Sequence, residues 1–286
     1  MPIVFSEVGY QYAQGLPWER IALRNINLQV EKNEMLGIIG PTGSGKTTLL
    51  QLMNGILTAS QGQVLINGAN PANMRGTEMT RLRRQVGLVF QSPEDQLFEN
   101  QVYDDIAFGP RNLGLTGSEL DNRVKWAMEM LELDFASLSE RKPQSLSGGQ
   151  KRRVAIAGLL AIDPEYLILD EPGAGLDYEG RLILLSVINK LCRVEGKGIV
   201  LVSHRLQDVF GTVDRVVVLV DGKIAMEGSP RDILARGEQL EELGIELPAS
   251  NQVLQRLTDT MPQVSLGMRG VVEVAGEINR CLRSKL

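Results

Sequence analysis

The chain has 286 residues, of which 43% are hydrophobic and 23% charged; at about 150 residues per domain this fits one large domain or two unequal ones and excludes gross disorder. Thirty Lys plus Arg against 35 Asp plus Glu give a formal charge of -5, which argues against a chain built to grip a nucleic-acid backbone. Two cysteines, Cys192 and Cys281, without CxxC spacing, and a single histidine, His204, exclude a disulfide framework, a cysteine metal cluster and a zinc site made of several histidines.

The amino terminus, MPIVFSEVGY, has neither the basic start nor the apolar stretch of a secretory signal. The longest apolar runs, such as Val216 to Val220, fall far short of the roughly 20 residues that span a bilayer, so a cytoplasmic chain without membrane spans is expected. Residues 3 to 35 alternate apolar runs with turn material and read as strands joined by a loop from Ala13 to Arg20. MLGIIG is a strand ending in glycine, TTLLQLMNGIL places apolar residues at helical spacing, and VLINGAN and VGLVFQ return to strand character. From Pro93 to Ile162 the pattern is mostly helical; TGSELDNRVKWAMEMLEL starts at a cap, Thr116 or Ser118, and carries Val124, Ala127, Met128 and Leu131 on one core-facing side. Two fully apolar strands, YLILD and GIVLVS, flank the helix RLILLSVINKLCRV, and RVVVLVD follows. Continuous Val/Ile/Leu runs separated by helices indicate a parallel sheet covered on both faces. Around Gly228-Ser229-Pro230 the alternation stops, which puts a boundary near 230 and leaves a mostly helical tail. The basic clusters Arg81, Arg83, Arg84 and Lys151, Arg152, Arg153 read as solvated faces, with local anion contacts as the alternative.

Gly40-Pro41-Thr42-Gly43-Ser44-Gly45-Lys46-Thr47 fits GxxxxGK(S/T) between a strand and a helix, the context that makes this pattern a phosphate-binding loop. Backbone N–H groups at glycines turn inward around phosphate oxygens, and the helix amino terminus adds partial positive charge. Lys46 supplies a point charge for the β- and γ-phosphates, Thr47 a hydroxyl for Mg²⁺, and Thr48 follows in the same turn. Leu167-Ile168-Leu169-Asp170 ends an apolar strand in a carboxylate, as a second Mg²⁺ partner requires, and Glu171 beside it is the candidate general base. Ser147-Gly148-Gly149-Gln150 precedes a helix; Ser147 and Gln150 form a capping box, and the same helix start offers an anion site.

With LSGGQ at 146–150, a phosphate-binding loop and Asp170-Glu171, residues 3 to about 230 resemble the nucleotide-binding subunit of an ATP-binding cassette (ABC) transporter. The resemblance implies an α/β fold: a P-loop NTPase core of the ABC-ATPase kind over residues 1–230, with an antiparallel β subdomain and an α-helical signature subdomain at about 93–162. A small, mostly helical extension at 231–286 follows. It also implies a head-to-tail dimer in which the signature of one subunit closes over ATP and Mg²⁺ held by the P-loop of the other, and it assigns further positions singly. Gln91 matches the glutamine that touches Mg²⁺ and the attacking water, Asp177 the D-loop aspartate, His204 the switch histidine at the γ-phosphate, and Tyr12 the ring that stacks on adenine, with Tyr10 as the alternative. Gly173, Tyr178 and Arg205 depart from the commoner threonine, proline and aspartate, and none of the three removes a reacting group.

The segment from Gln91 to Glu99 followed by DDIAFGPRNLGL, and the first loop with Gly15-Leu16-Pro17-Trp18-Glu19, are similar to the ATPases of energy-coupling factor (ECF) transporters, in particular the second of their two paralogues. Those importers take up vitamins or the transition metals cobalt and nickel. The resemblance implies a second ATPase subunit, a transmembrane T subunit with coupling helices, a substrate-binding S subunit, and peripheral attachment to the cytoplasmic face of the membrane through those partners, with no nucleic acid involved. The stretch from Glu94 to Glu99, with Leu97 and Phe98 as apolar contact and the carboxylates as counter-charge, is suited to receive such a helix, with an ordinary surface turn as the alternative. The alternatives are another ABC importer or exporter, a cassette ATPase acting on DNA or ribosomes, and a nucleotide-binding module without turnover, against which Glu171 argues. In the tail, Val271, Val274, Ala275, Ile278 and Leu282 fall at spacings of three and four and are expected to form one apolar stripe, for contact with the partner ATPase or as a cover for this subunit's own cassette.

Overall fold

The computed structural model describes residues 1–258 and 260–283; residue 259 and the last three residues of the extension expected at 231–286 lie outside the described residues. Alternating burial along Ile3–Tyr12 (β1) and Arg20–Val30 (β2) makes an antiparallel pair in which Ile3 faces Val30 and Tyr12 faces Arg20. Met35–Ile39 (β3) is buried at all five positions and leads through the phosphate-binding loop into Lys46–Met53 (α1). Gln61–Ile66 (β4) then pairs with the free side of β1 and closes a three-stranded antiparallel sheet of order β2-β1-β4. Gly76–Gln85 (α2) returns the chain to Val86–Val89 (β5).

The helices Val102–Asn112 (α3), Gly117–Met130 (α4), Phe135–Leu138 (α5) and Gly148–Ala161 (α6) follow in one run. The four residues expected inside, Val124, Ala127 and Met128 on α4 and Leu131 just after its end, are fully buried. Thr116 holds the cap position, although its side chain makes no capping bond. The chain then re-enters the sheet with Tyr166–Asp170 (β6), Tyr178–Arg193 (α7), Gly198–Val202 (β7), Leu206–Thr212 (α8), Arg215–Val220 (β8) and Lys223–Gly228 (β9).

The central sheet has the order β5-β6-β7-β3-β8-β9, with every neighbouring pair parallel except β8 and β9. Because side chains alternate along a strand, β7 feeds both faces: Ile199 and Leu201 join the core shared with the helices, while Val200 and Val202 join the core shared with α1 and the small sheet. Burying such β-branched and leucine side chains stabilises by about 1.5–3 kcal/mol each, and that two-sided packing fixes the carboxyl ends of β3, β5, β6 and β7 beside one another. In open parallel sheets ligands bind at those ends.

Beyond β9, Pro230–Leu234 (α9) and Gly237–Glu242 (α10) send Ile233, Leu234 and Leu240 into the core of the cassette. Ala249–Leu257 (α11) and Val271–Arg283 (α12) form a separate small core of Leu254, Val264, Val274 and Cys281. The apolar stripe expected on α12 is divided by this packing. Val274 is buried and Ile278 packs against the small core, whereas Val271, Ala275 and Leu282 are exposed. The inward face is rotated toward Glu277 and Cys281, and Glu277 accepts hydrogen bonds from Ser265 N–H (2.7 Å) and from the Arg280 guanidinium (2.6 Å), which offset the cost of burying its carboxylate. Those bonds hold the Glu277 carboxyl far below the ordinary glutamate range, at about 2.

Candidate nucleotide site

Two glycines show why the loop after β3 has its sequence. A Cβ at Gly40 would sit 2.0 Å from the Leu219 carbonyl oxygen, and at Gly45, whose φ is +105°, it would meet the Ala22 carbonyl oxygen at 2.6 Å. The loop therefore lies flat against β2 and β8, and the Lys46 ammonium folds back over it, donating to the carbonyls of Gly40 (2.8 Å) and Pro41 (2.9 Å). Burial lowers the Lys46 pKa from the ordinary lysine range, opposed by the nearby charges of Asp170 and Glu171.

Asp170 closes β6 opposite this lysine, and the Thr47 hydroxyl donates to Asp170 Oδ2 at 3.2 Å. Asp170 and Glu171 are both 8% exposed. Burial raises both carboxyl pKa values; Thr47, Lys46 and His204 counter the shift at Asp170, while His204 counters it at Glu171 and Asp170 adds to it. Glu171 Oε1 has no hydrogen-bond partner and lies 3.5 Å from His204 Nε2. An unpartnered buried carboxylate oxygen beside a lysine and an imidazole is costly unless a ligand or water engages it.

These groups line one cavity of about 400 Å³ with Tyr12, Arg20, Ala22, Thr42, Gly43, Gly45, Lys46, Thr47, Thr48 and Gln91. Gly40, Pro41 and Ser44 form the loop beneath it; Ser44 is buried, its hydroxyl without a partner. The Tyr12 hydroxyl hydrogen-bonds the Thr48 hydroxyl at 3.0 Å, and its ring is more than a third exposed beside the loop. Tyr10 meets that ring edge-on at 4.8 Å and packs toward the core, so Tyr12 is the tyrosine that faces the cavity. Arg20 and Ala22 were not legible in the sequence, because only the β1–β2 pairing brings them across to the loop.

The signature lies elsewhere. Ser147 caps α6 by accepting from Gln150 N–H (3.3 Å), and Gln150 Oε1 accepts in return from Ser147 N–H (3.1 Å), the reciprocal pair the sequence implies. Asp177 likewise caps α7 by accepting from Gly180 N–H at 2.8 Å. Neither these residues nor Gly148 and Gly149 line the cavity. Arg152, expected on a solvated face with Lys151 and Arg153, is instead buried at 4% exposure, because the first turns of α6 run behind Gln91 and Glu171.

The sequence model of the ABC transporter family matches residues 23–174. The chain is 44% identical over 95% of its length to an ECF transporter ATP-binding protein, EcfA2, of Symbiobacterium thermophilum, covering 97% of that protein. It is 46% identical over 90% of its length to EcfA2 of Latilactobacillus sakei, covering 88% of it. Among solved structures it superposes on cbiO1 from Clostridium perfringens, part of the ABC transporter complex cbiONQ, with a TM-score of 0.74, 33% identity and coverage of 91% of this chain and 98% of the other. A dimeric ATP-binding cassette, MJ0796, in a post-hydrolysis state bound to ADP and Pi, superposes with a TM-score of 0.73 at 29% identity over 79% of this chain and 98% of that one. A strand-bound loop of flattened glycines, a buried carboxylate pair at the end of β6 and near full-length likeness to such proteins lead to one statement: the chain belongs to the ABC transporter ATPases, among the ECF transporter ATP-binding proteins of the second paralogue.

Proposed function

We propose that the chain powers an ECF importer of vitamins or transition-metal ions by binding ATP with Mg²⁺ in this cavity and hydrolysing it when a second ATPase subunit closes over it. The observation that carries the reading is the convergence of Lys46, Thr47, Asp170, Glu171 and His204 on one cavity at the carboxyl ends of β3, β6 and β7. Among the described residues no cluster of three or more His, Cys, Asp and Glu could hold a metal by itself. That fits Mg²⁺, which takes one or two protein oxygens and completes its shell with substrate phosphates and water. Thr47, Asp170 and Gln91 would hold it, and when bound it neutralises charge developing on the phosphates.

The protein groups divide the remaining work. Lys46, now held by the loop carbonyls, has a third N–H free to meet the β- and γ-phosphates. Glu171, its carboxyl raised by burial yet beside an imidazole, takes the proton of the attacking water, while His204 holds the γ-phosphate. Tyr12 offers its ring to adenine from the open side. Ser147 to Gln150 and Asp177 supply the closing surface for the site of the partner ATPase, which is why they stand apart from the cavity of their own chain.

No described helix is long and apolar enough to cross a membrane, so attachment to the cytoplasmic face runs through the T subunit, which carries the S subunit. Phe98 and Phe108 meet edge-on at 5.0 Å and are 63% and 45% exposed, and with Glu94 and Asp95 they offer an apolar patch with an acidic rim to a coupling helix. Leu97 packs inward, so Phe98 and not Leu97 is the anchor on offer.

Glu171→Gln tests the reading. It should keep ATP binding, lower turnover by about 10²–10⁴-fold, the usual worth of a general base, and stay dimeric on gel filtration with Mg-ATP. Turnover near the parental rate would remove Glu171 from the role of base.

A further inference from the structure

The Arg152 side chain touches both the Gln91–Glu94 segment and the backbone of the candidate base. Its Nε donates to the Pro172 carbonyl at 2.8 Å, and its Nη2 donates to the carbonyls of Gln91 at 2.8 Å and Glu171 at 2.5 Å. Its Nη1 faces the Glu94 carboxylate at 3.3 Å, a pair buried on the arginine side and partly exposed on the glutamate side. The planar guanidinium suits this task, since its N–H groups leave in fixed directions and a lysine ammonium cannot span all of the acceptors at once.

The backbone it holds is unusual. Glu171 is not glycine, yet its φ is +53°, in the left-handed region. Its N–H donates to the Val202 carbonyl at 3.0 Å and its carbonyl accepts from Arg152 and from Ala174 N–H at 3.1 Å, so the strained peptide is fixed on both sides. A strained conformation persists only where its surroundings over-determine it. Glu94 belongs to the short turn Pro93–Gln96, three residues before the packed Leu97 and four before Phe98 of the exposed patch.

We propose that Arg152 is a positioning residue that sets the direction of the Glu171 carboxylate and links it, through Gln91 and Glu94, to the surface on which the transmembrane partner docks. A docked helix that shifts the Pro93–Gln96 turn then moves the guanidinium, and with it the backbone of the base. Arg152 itself touches no reacting atom; it acts through the carbonyls of Gln91, Glu171 and Pro172. The inference rests on the assignment of Glu171 as general base, and the experiment separates the two.

Arg152→Met, Arg152→Lys, Glu94→Gln, Arg152→Met combined with Glu94→Gln, and Glu171→Gln are compared in the transporter complex purified through a tag on the full chain, with ATP turnover followed at varied ATP. Misplacing a catalytic group by a fraction of an ångström costs on the order of tenfold to a hundredfold. Arg152→Met should therefore lower kcat by about that factor with KM for ATP unchanged within about twofold, and Arg152→Lys, which keeps the charge and part of the hydrogen bonding, should recover part of the loss. Glu94→Gln should lower kcat by about two- to fivefold, the worth of a part-exposed ion pair, and should cost nothing further when Arg152 is already methionine. Parental kcat in Arg152→Met, or a parallel loss of kcat and ATP affinity in both Arg152 variants, overturns the positioning role. An additive loss in the double variant overturns the link through Glu94. If Glu171→Gln is inactive while Arg152→Met is parental, only the Arg152 inference falls; if Glu171→Gln turns over normally, the base assignment falls and this inference with it.

Discussion

Lys46, Asp170 and Glu171 sit in a cavity where burial shifts the pKa of all three, whereas Ser147 and Gln150 of the signature satisfy each other at an exposed helix start. The first group carries unmet interaction: an ammonium resting on carbonyls, a carboxylate oxygen without a partner, a buried serine hydroxyl likewise. The second closes on itself at its cap, where the Ser147 hydroxyl accepts from Gln150 N–H and Gln150 Oε1 accepts from Ser147 N–H. Under the function proposed above, the cavity binds nucleotide and the signature is the surface offered to a second subunit. Binding and turnover should therefore respond to different residues.

The largest break in that contrast is Lys46→Ala. Removing the ammonium takes away a charge-assisted contact worth roughly 1.5–3 kcal/mol, so the isolated full chain should lose at least about tenfold in ATP affinity in a fluorescent-nucleotide titration, and phosphate release should fall below detection. Unchanged affinity would mean that the buried half does not hold the phosphates. Next comes Ser147→Ala. It removes a helix cap worth about 1 kcal/mol and one donor to the partner's nucleotide, so turnover should fall about tenfold while the affinity of the isolated chain for ATP stays at the parental value. A matching fall in both would erase the distinction between the halves.

The smallest expected effect sharpens the contrast through pH. Because burial raises the carboxyl pKa values of both Asp170 and Glu171, the pair is protonated at a higher pH than ordinary carboxylates, and its protonated form cannot serve as base. The acid limb of kcat/KM should thus lie above the ordinary glutamate value of about 4.3, with activity rising as pH climbs through it. The limb belongs to the coupled pair and not to either residue alone. An acid limb at or below the ordinary value would show that the cavity does not withhold water from these groups.

Sequence reading reached what is written locally. The phosphate-binding loop, the apolar strand ending in Asp170 and the Ser147/Gln150 box each depend on residues within a few positions of one another, so spacing alone reports them. It failed where the third dimension decides. Arg152 stands in a run of three basic residues that reads as a wet face, and only the path of α6 behind Glu171 buries it. Arg20 reaches the cavity through a hairpin partner at Tyr12. On α12 the spacing of Val271, Ala275 and Leu282 is helical, but periodicity does not say which of two adjoining faces turns inward, and buried Glu277, paired with an exposed Arg280, shows that the inward one includes a charge.

The left-handed backbone at Glu171 also bears on how this position is retained through mutation. A non-glycine residue in that region gives up about 1–2 kcal/mol, and a buried carboxylate adds a further desolvation cost. A glycine at 171 would escape both, and its peptide could still make the bonds to Val202 and Arg152. If Glu171 is the base proposed above, selection for thermal endurance alone would favour losing its side chain, and selection for transport would retain it. On that proposal, residue 171 is a place where the most durable protein and the working protein are different molecules.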